Sequence, residues 1–387
     1  RRTDAKRSLD IRATSKKDED ELKAPRLDRG LGTCRHFHGR LASRGLRYCI
    51  PMQAILAVTV PFFSLVLLGG LAAQRRVLPE SAIPGLNAYV VFFALPCLFF
   101  RFGSSLQLAR LLDPLLISIY TACALAMVAI TVFATWRRRA GTGGVDLKNA
   151  AFGALVGAFP NAGFMGVPLL VALIGDRAAG PVIGAILVDL IVTSTLCLAL
   201  AEASGHRAGD GSEGSKRGAA AAALLALRGA LANPLPWAIV VGALFAAFDR
   251  ELPGPIAQIV RMLGDSATPV ALFTIGSVLW RAGRHAHTRT PVRDYLPVAL
   301  LKLILHPALV FGLGSAAIAL GAPVSRFGLT VLTLVAALPS ASNVSVLAER
   351  YEADNGRVAR IIMASTVLAF VTFSALAWAF GVAQSQG

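Results

Sequence analysis

The stretch Ala158-Phe159-Pro160-Asn161-Ala162-Gly163-Phe164-Met165-Gly166-Val167-Pro168 lies inside an apolar run long enough to cross a bilayer, yet no straight helix fits it. Pro160 has no amide hydrogen, and Asn161 and Gly163 weaken the helix beside it. A second run breaks in the same manner at Ala337-Leu338-Pro339-Ser340-Ala341-Ser342-Asn343. Again a proline stands in the middle, with an asparagine close by. A break at membrane depth leaves backbone groups that hydrocarbon cannot satisfy. Such breaks persist where they are buried in protein or line a polar cavity. A matched pair in two halves of a chain points to a carrier's binding cavity.

The composition places these breaks in a membrane protein. Of 387 residues, 55% are hydrophobic and 16% charged. Ten apolar runs of about 20 residues, the length that crosses ~30 Å of hydrocarbon, lie near 53–73, 85–105, 113–136, 149–173, 179–202, 230–248, 262–281, 295–320, 325–348 and 358–382. The expected fold is an all-α polytopic membrane protein of ten transmembrane helices. Runs four and nine are the broken ones.

The net charge of +16 does not indicate nucleic acid. Residues 1–50 hold 14 Lys/Arg and 7 Asp/Glu, and most other positives lie in short loops. Those loop charges report topology: the odd-numbered loops carry 17 Lys/Arg and the even-numbered loops 6. The odd loops are therefore expected in the cytoplasm, with both termini outside. Segment 1–51 is polar, lacks apolar periodicity and reads as a disordered basic tail. The first methionine is Met52, so translation is expected to start there and the tail to be non-native; a genuine disordered tail is the alternative. The remainder divides into a first half at 52–202, a Gly/Ser-rich cytoplasmic linker at 203–229, and a second half at 230–387.

The halves resemble each other. Pro96, Phe100, Gly103 and Ser104 recur as Pro269, Phe273, Gly276 and Ser277, all four at one common offset. Ala158-Phe159-Pro160-Asn161-Ala162 recurs as Ala337-Leu338-Pro339-Ser340-Ala341, at a nearly equal offset. Each half has five runs, an odd number, so the second copy enters the membrane from the opposite side. The expectation is two inverted five-helix repeats, with the broken helices 4 and 9 crossing at a site near the midplane.

The chemistry available there is limited. Asn161 and Asn343 offer donors and acceptors that bind a carboxylate or replace lost backbone bonds. Half-helix N-termini add N–H groups and partial positive charge, which suits an anion. Gly157, Gly163 and Gly166 let another backbone approach, or serve ordinary helix packing. Asp189 lies about 15 Å into run five by helical rise. A carboxylate at that depth is either a coupling group for a proton or ion, or a structural partner for a neighbouring helix. Lys302 lies about 10 Å inside run eight and shares a helix face with His306. Lys302 pairs with the substrate or Asp189, or else snorkels to the interface. His306 either titrates or packs as a hydrogen-bonded core residue. Cys97, Cys123 and Cys197 fall in separate runs as small buried residues, and neither a metal site nor a cofactor is expected. The chain has no H-E-x-x-H, Walker or G-x-S-x-G motif, so an enzyme is not expected either.

At this point the sequence resembles the auxin efflux carrier family, in its bacterial branch, over about Met52 to Ala383. The resemblance rests on the runs Pro160–Pro168 and Ala267–Gly276, on Lys302 before Pro307, and on Ala337–Ala341. It implies two inverted repeats with crossing helices 4 and 9, and carriage of organic anions such as auxins, malate or malonate. The family's crossover prolines correspond to Pro160 and Pro339, and its polar crossover residues to Asn161 and Asn343. The linker is short, like that of bacterial relatives, which argues against auxin as the physiological substrate.

The expected function is a secondary transporter of small organic anions, working by alternating access in a bacterial inner membrane. Its expected partners are a small carboxylate, the lipid bilayer and a second copy in a homodimer. Two alternatives stay open: a sodium- or proton-coupled symporter of the bile-acid-transporter type, and a membrane sensor without transport. The linker of about 26 residues is too short to hold a signalling domain.

Overall fold

The computed structural model describes residues 52–104, 113–136, 145–205, 224, 228, 233–284 and 290–382. The tail and most of the linker lie outside the described residues. Regular structure among the described residues is helical, and the apolar runs are helix except at the two breaks. Seven helices are long and apolar enough to cross a membrane. These are α1 (Met52–Gln74), α2 (Ala82–Gly103), α3 (Pro114–Thr135), α6 (Asp176–Ala203), α8 (Gly254–Arg284), α9 (Val292–Ala319) and α12 (Asn355–Ala379). Run six forms a shorter helix, α7 (Pro234–Ala247). Run four is split into α4 (Leu147–Ala158) and α5 (Ala162–Ile174). Run nine is split into α10 (Arg326–Ala336) and α11 (Asn343–Arg350).

The helix starts follow capping chemistry. Asp113 and Asn233 each precede a proline at the first helical position and accept an amide hydrogen bond, 2.8 Å from Leu115 and 3.0 Å from Leu235. Asp146 caps α4 through Asn149 N–H at 2.9 Å, and Ser325 caps α10 through Gly328 N–H at 3.2 Å. The separation of Asp146 from Ser325 along the chain equals that of Pro160 from Pro339.

Many large apolar side chains point outward, among them Phe133 at 88%, Leu67 at 66% and Val367 at 67% exposure. A water-facing surface this apolar would associate; facing lipid, it is the favourable arrangement.

Glycines set the closest helix crossings. A Cβ added to Gly276 would lie 1.8 Å from the Val66 carbonyl oxygen, and one on Gly69 would lie 1.9 Å from that of Phe273. There α1 and α8 touch backbone to backbone, and the Ser277 hydroxyl donates to Gly69 C=O at 2.9 Å. The same arrangement joins α2 to α7: a Cβ on Gly103 would lie 2.4 Å from Ile239 O, and one on Gly242 would lie 2.3 Å from Phe100 O. The separation of Gly69 from Gly242 along the chain equals that of Gly103 from Gly276. Helices α1, α2, α7 and α8 thus pack as one group. A second group contains α3, α4, α6, α9, α10, α11 and α12. The helix that follows the first break, α5, packs against α6 but also reaches α1 and α8.

Candidate functional site

Each break is completed by the other. Asn161 N–H donates to Pro339 C=O at 2.8 Å, and Ala341 N–H donates to Phe159 C=O at 3.0 Å. This is an isolated antiparallel bridge between Pro160 and Ser340. The prolines lack the amide that a continuing helix needs, so the chain leaves the helical path and finds partners across the crossing. Neighbouring backbone groups are met as well, while the Ser340 hydroxyl is buried without a partner. Ser340 N–H donates to the Ser365 hydroxyl of α12 at 3.1 Å. Asn161 C=O accepts from Met165 and Gly166 at 3.2 and 3.0 Å, opening α5 as a π-turn.

Two helices therefore end at the crossing, α4 and α10, and two begin there, α5 and α11. The N-termini of α5 and α11 bring partial positive charge to one place, with the N–H groups of Ala162, Val344 and Ser345 already given to the carbonyls of Pro160, Ala341 and Ser342. They meet at a cavity of about 40 Å³ lined by Pro160, Asn161, Gly163, Asp189, Asn233 and Asn343, with apolar neighbours. That volume holds water, not a carboxylic acid of several heavy atoms. A groove of about 500 Å³ between α1, α8 and α12 is larger, but it is walled mostly by apolar side chains such as Phe63, Leu67 and Val367. It offers an anion little, so the small cavity that holds the asparagine amides is the candidate site.

The candidates named from the sequence fall into two linked places. Asn161, Asn343, Pro160 and Gly163 line the cavity, and Pro339 supplies the carbonyl of the bridge. Gly163 has open space where a Cβ would project, whereas a Cβ on Gly166 would meet Leu338 of the second break at 2.7 Å. Gly166 therefore serves the crossing and Gly163 the cavity.

Asp189 is also on the cavity wall, 1% exposed, at the start of a π-turn in α6. Its carboxylate accepts from the Tyr120 hydroxyl at 2.9 Å and from the Thr193 hydroxyl at 3.1 Å. Lys302, on a π-turn of α9, does not line the cavity. It is fully buried, and its Nζ donates to Ala336 C=O at 2.7 Å. Ala336 is the last residue of α10, so the ammonium sits on orphan carbonyls at the negative end of that half-helix. His306 lies 3.1 Å from Lys302 Nζ through Nδ1. With Lys302 as an ammonium, which has only donors, Nδ1 accepts and the ring hydrogen falls on Nε2, which is buried and meets no partner. The His306 ring packs beside Tyr120, with centroids 5.8 Å apart. One chain of contacts thus runs from Asp189 through Tyr120, His306 and Lys302 to the end of α10.

Sequence reading did not single out Tyr120, Thr193, Asn233 or Ser365. Asn233 had a legible signal, the cap pattern Asn-Pro before an apolar run. Tyr120 and Thr193 are ordinary residues in apolar runs, and only the packing of α3 on α6 gives them a role.

The profile of a family described as "Membrane transport protein" matches residues 54–377. The chain belongs to this membrane transport family, that of the auxin efflux carriers. It is a membrane transporter and not an enzyme. Among its relatives, a Rhizobium meliloti (strain 1021) protein named "Putative malonate transporter" is 29% identical over 84% of this chain and 95% of the relative. An "Uncharacterized transporter" of Methanothermobacter thermautotrophicus is 29% identical over 83% of this chain and 95% of the relative. "Auxin efflux carrier component 8" of Arabidopsis thaliana is 25% identical over 66% of this chain and 79% of the relative. The matched region begins inside α1 and spans both breaks.

Proposed function

We propose that this transporter is a secondary carrier of small carboxylates, with Asn161 and Asn343 holding the anion at the crossing. The observation that carries the reading is the convergence on one cavity of two half-helix N-termini and two side-chain amides. The helix ends supply partial positive charge and the amides supply donors to a carboxylate, neither adding negative charge. The name of the Rhizobium relative points the substrate class toward short dicarboxylates such as malonate.

The architecture we propose is ten transmembrane helices in two inverted repeats, 52–202 and 230–387, joined by a cytoplasmic linker at 203–229. Its support is the equal spacing of unlike features. One offset relates the two pairs of crossing glycines, and a second, slightly longer one relates both the caps and the break prolines. The contact of the first helix of one half with the second helix of the other occurs twice, as a pseudo-twofold requires. The odd loops are placed in the cytoplasm of a bacterial inner membrane, with both termini outside. In support, Glu80 of loop one pairs with Arg284 of loop seven at 3.8 Å. Arg357, at the start of α12, also donates to the carbonyls of Asn149 and Asp294, gathering three helix N-termini at one level.

Transport then follows from the packing. The group α1, α2, α7 and α8 stays fixed against the lipid, and the group bearing the crossing moves against it. The cavity is too small for a carboxylate, so binding requires these groups to part, on one side and then on the other.

The test is uptake of labelled malonate, with other short carboxylates as competitors, into proteoliposomes of the purified protein. Wild type is expected to accumulate label, and Asn161→Ala and Asn343→Ala to lose it while their melting is kept. Wild-type transport by both variants would remove the crossing from the site.

A further inference from the structure

We propose that transport is coupled to protons and that Asp189 is the group that carries them, one proton entering with each anion. The proposal rests on the crossing being the carboxylate site.

Its first support is position. Asp189 shares the cavity with Asn161 and Asn343, so a carboxylate there repels the anion that the amides attract. Taking up a proton removes that repulsion and turns one carboxyl oxygen into a donor facing the cavity. The second support is the set of partners. Two hydroxyls reach the carboxylate, Tyr120 from α3 and Thr193 from its own helix, and among the described residues no ion pair includes it. The nearby positive charge, Lys302, is committed to Ala336 C=O and His306, so it balances the field without neutralising the carboxylate by contact.

The charge nearby argues for a proton over a metal cation: Lys302, held beside His306 and the Tyr120 that binds Asp189, would repel a cation at the carboxylate. Among the described residues no group of three or more His, Cys, Asp or Glu side chains is placed to hold a metal ion. The titratable groups on the elements packed around Asp189 are Tyr120 and Cys123 of α3, Lys148 of α4, Asp176, Arg177, Cys197 and Glu202 of α6 itself, Lys302 and His306 of α9, and Arg326 of α10. Asp189 is the buried acid on the cavity wall.

The step balances simply. In one facing state an Asp189 carboxylate oxygen takes a proton from cavity water, an O–H bond forms, and the anion binds beside it. After the groups rearrange, the anion leaves and the proton passes to water on the other side.

Two measurements test this. The first needs no substrate: infrared titration of the protein in liposomes. A protonated-carboxyl band that grows on acidification is expected in wild type and absent in Asp189→Asn; an identical band in the variant overturns the proposal. The second is malonate uptake with an imposed pH gradient and no sodium. Wild type is expected to accumulate malonate severalfold above equilibrium when the malonate side is acid. In Asp189→Asn whatever uptake remains is expected to equilibrate only, with a flat pH profile. Gradient-driven accumulation by the variant, or wild-type accumulation that ignores the gradient, overturns proton coupling while leaving the carboxylate carrier intact. A wild type that moves no carboxylate in the panel refutes the carrier reading, and the infrared arm still decides the proton site.

Discussion

At the scale of single residues, the site separates groups that bind from groups that hold the binding groups in place. Asn161 uses its backbone for the bridge to Pro339, which leaves its side chain for the cavity. Asn161→Ala should therefore keep its melting temperature while weakening malonate binding by about tenfold or more, the size of ~1.4 kcal/mol; calorimetry beside a thermal melt checks both halves of that statement. Lys302 behaves in the opposite way. Lys302→Met leaves the Ala336 carbonyl and the His306 ring nitrogen buried without a partner, a loss of about 1–3 kcal/mol. The expected outcome is a lower melting temperature even without substrate, and a wild-type melt would show that the end of α10 needs no cap. The sequence placed Lys302 near the membrane interior but left open whether it meets substrate, Asp189 or the interface. A helix-end role was not legible, because its partner, Ala336 C=O, is a backbone atom of a distant helix.

At the scale of elements, proline and glycine do different work. Prolines set where runs four and nine break, and this was legible because a missing amide is a property of one residue. That the breaks pair with each other was not legible, because antiparallel pairing depends on how two distant helices are brought together. Glycines set how closely the unbroken helices cross. Gly276→Ala and Gly103→Ala place a methyl group within 1.8 and 2.4 Å of a backbone oxygen. Each should force its helix pair apart and cost about 1–3 kcal/mol, seen as an earlier melt in detergent. Gly163→Ala has no atom within 4 Å of the new Cβ. Its melt should match wild type while the narrower cavity raises the KM for malonate; an early melt would place Gly163 in the packing instead.

At the scale of the whole molecule, the proposed inverted repeat makes the sides of the membrane testable. In a background without the native cysteines, Glu80→Cys and Arg284→Cys are expected to react with an impermeant thiol reagent from one side only, and to cross-link to each other. Asp176→Cys, at the start of α6, should react from the opposite side. Labelling of all three from one face would defeat the ten-helix arrangement. The sequence indicated this arrangement through recurring motifs at two offsets, and the structure adds that the recurring glycines are the crossing points. The two offsets differ by only a few positions, which lie between the glycine crossings and the breaks, where α9 has 28 residues and its counterpart α3 has 22.

What the sequence determined alone was local: which runs are apolar, where amides are missing, and how often a pattern recurs. Each depends on a residue and its near neighbours, or on counting. What the tertiary structure decided was the pairing of groups far apart in the chain. Phe159 and Asn161 found Ala341 and Pro339; Asp189 found Tyr120; Lys302 found the end of α10. Polar groups in an apolar interior must find partners, but their identity follows from how the helices cross, and that is fixed only by the packing of the whole.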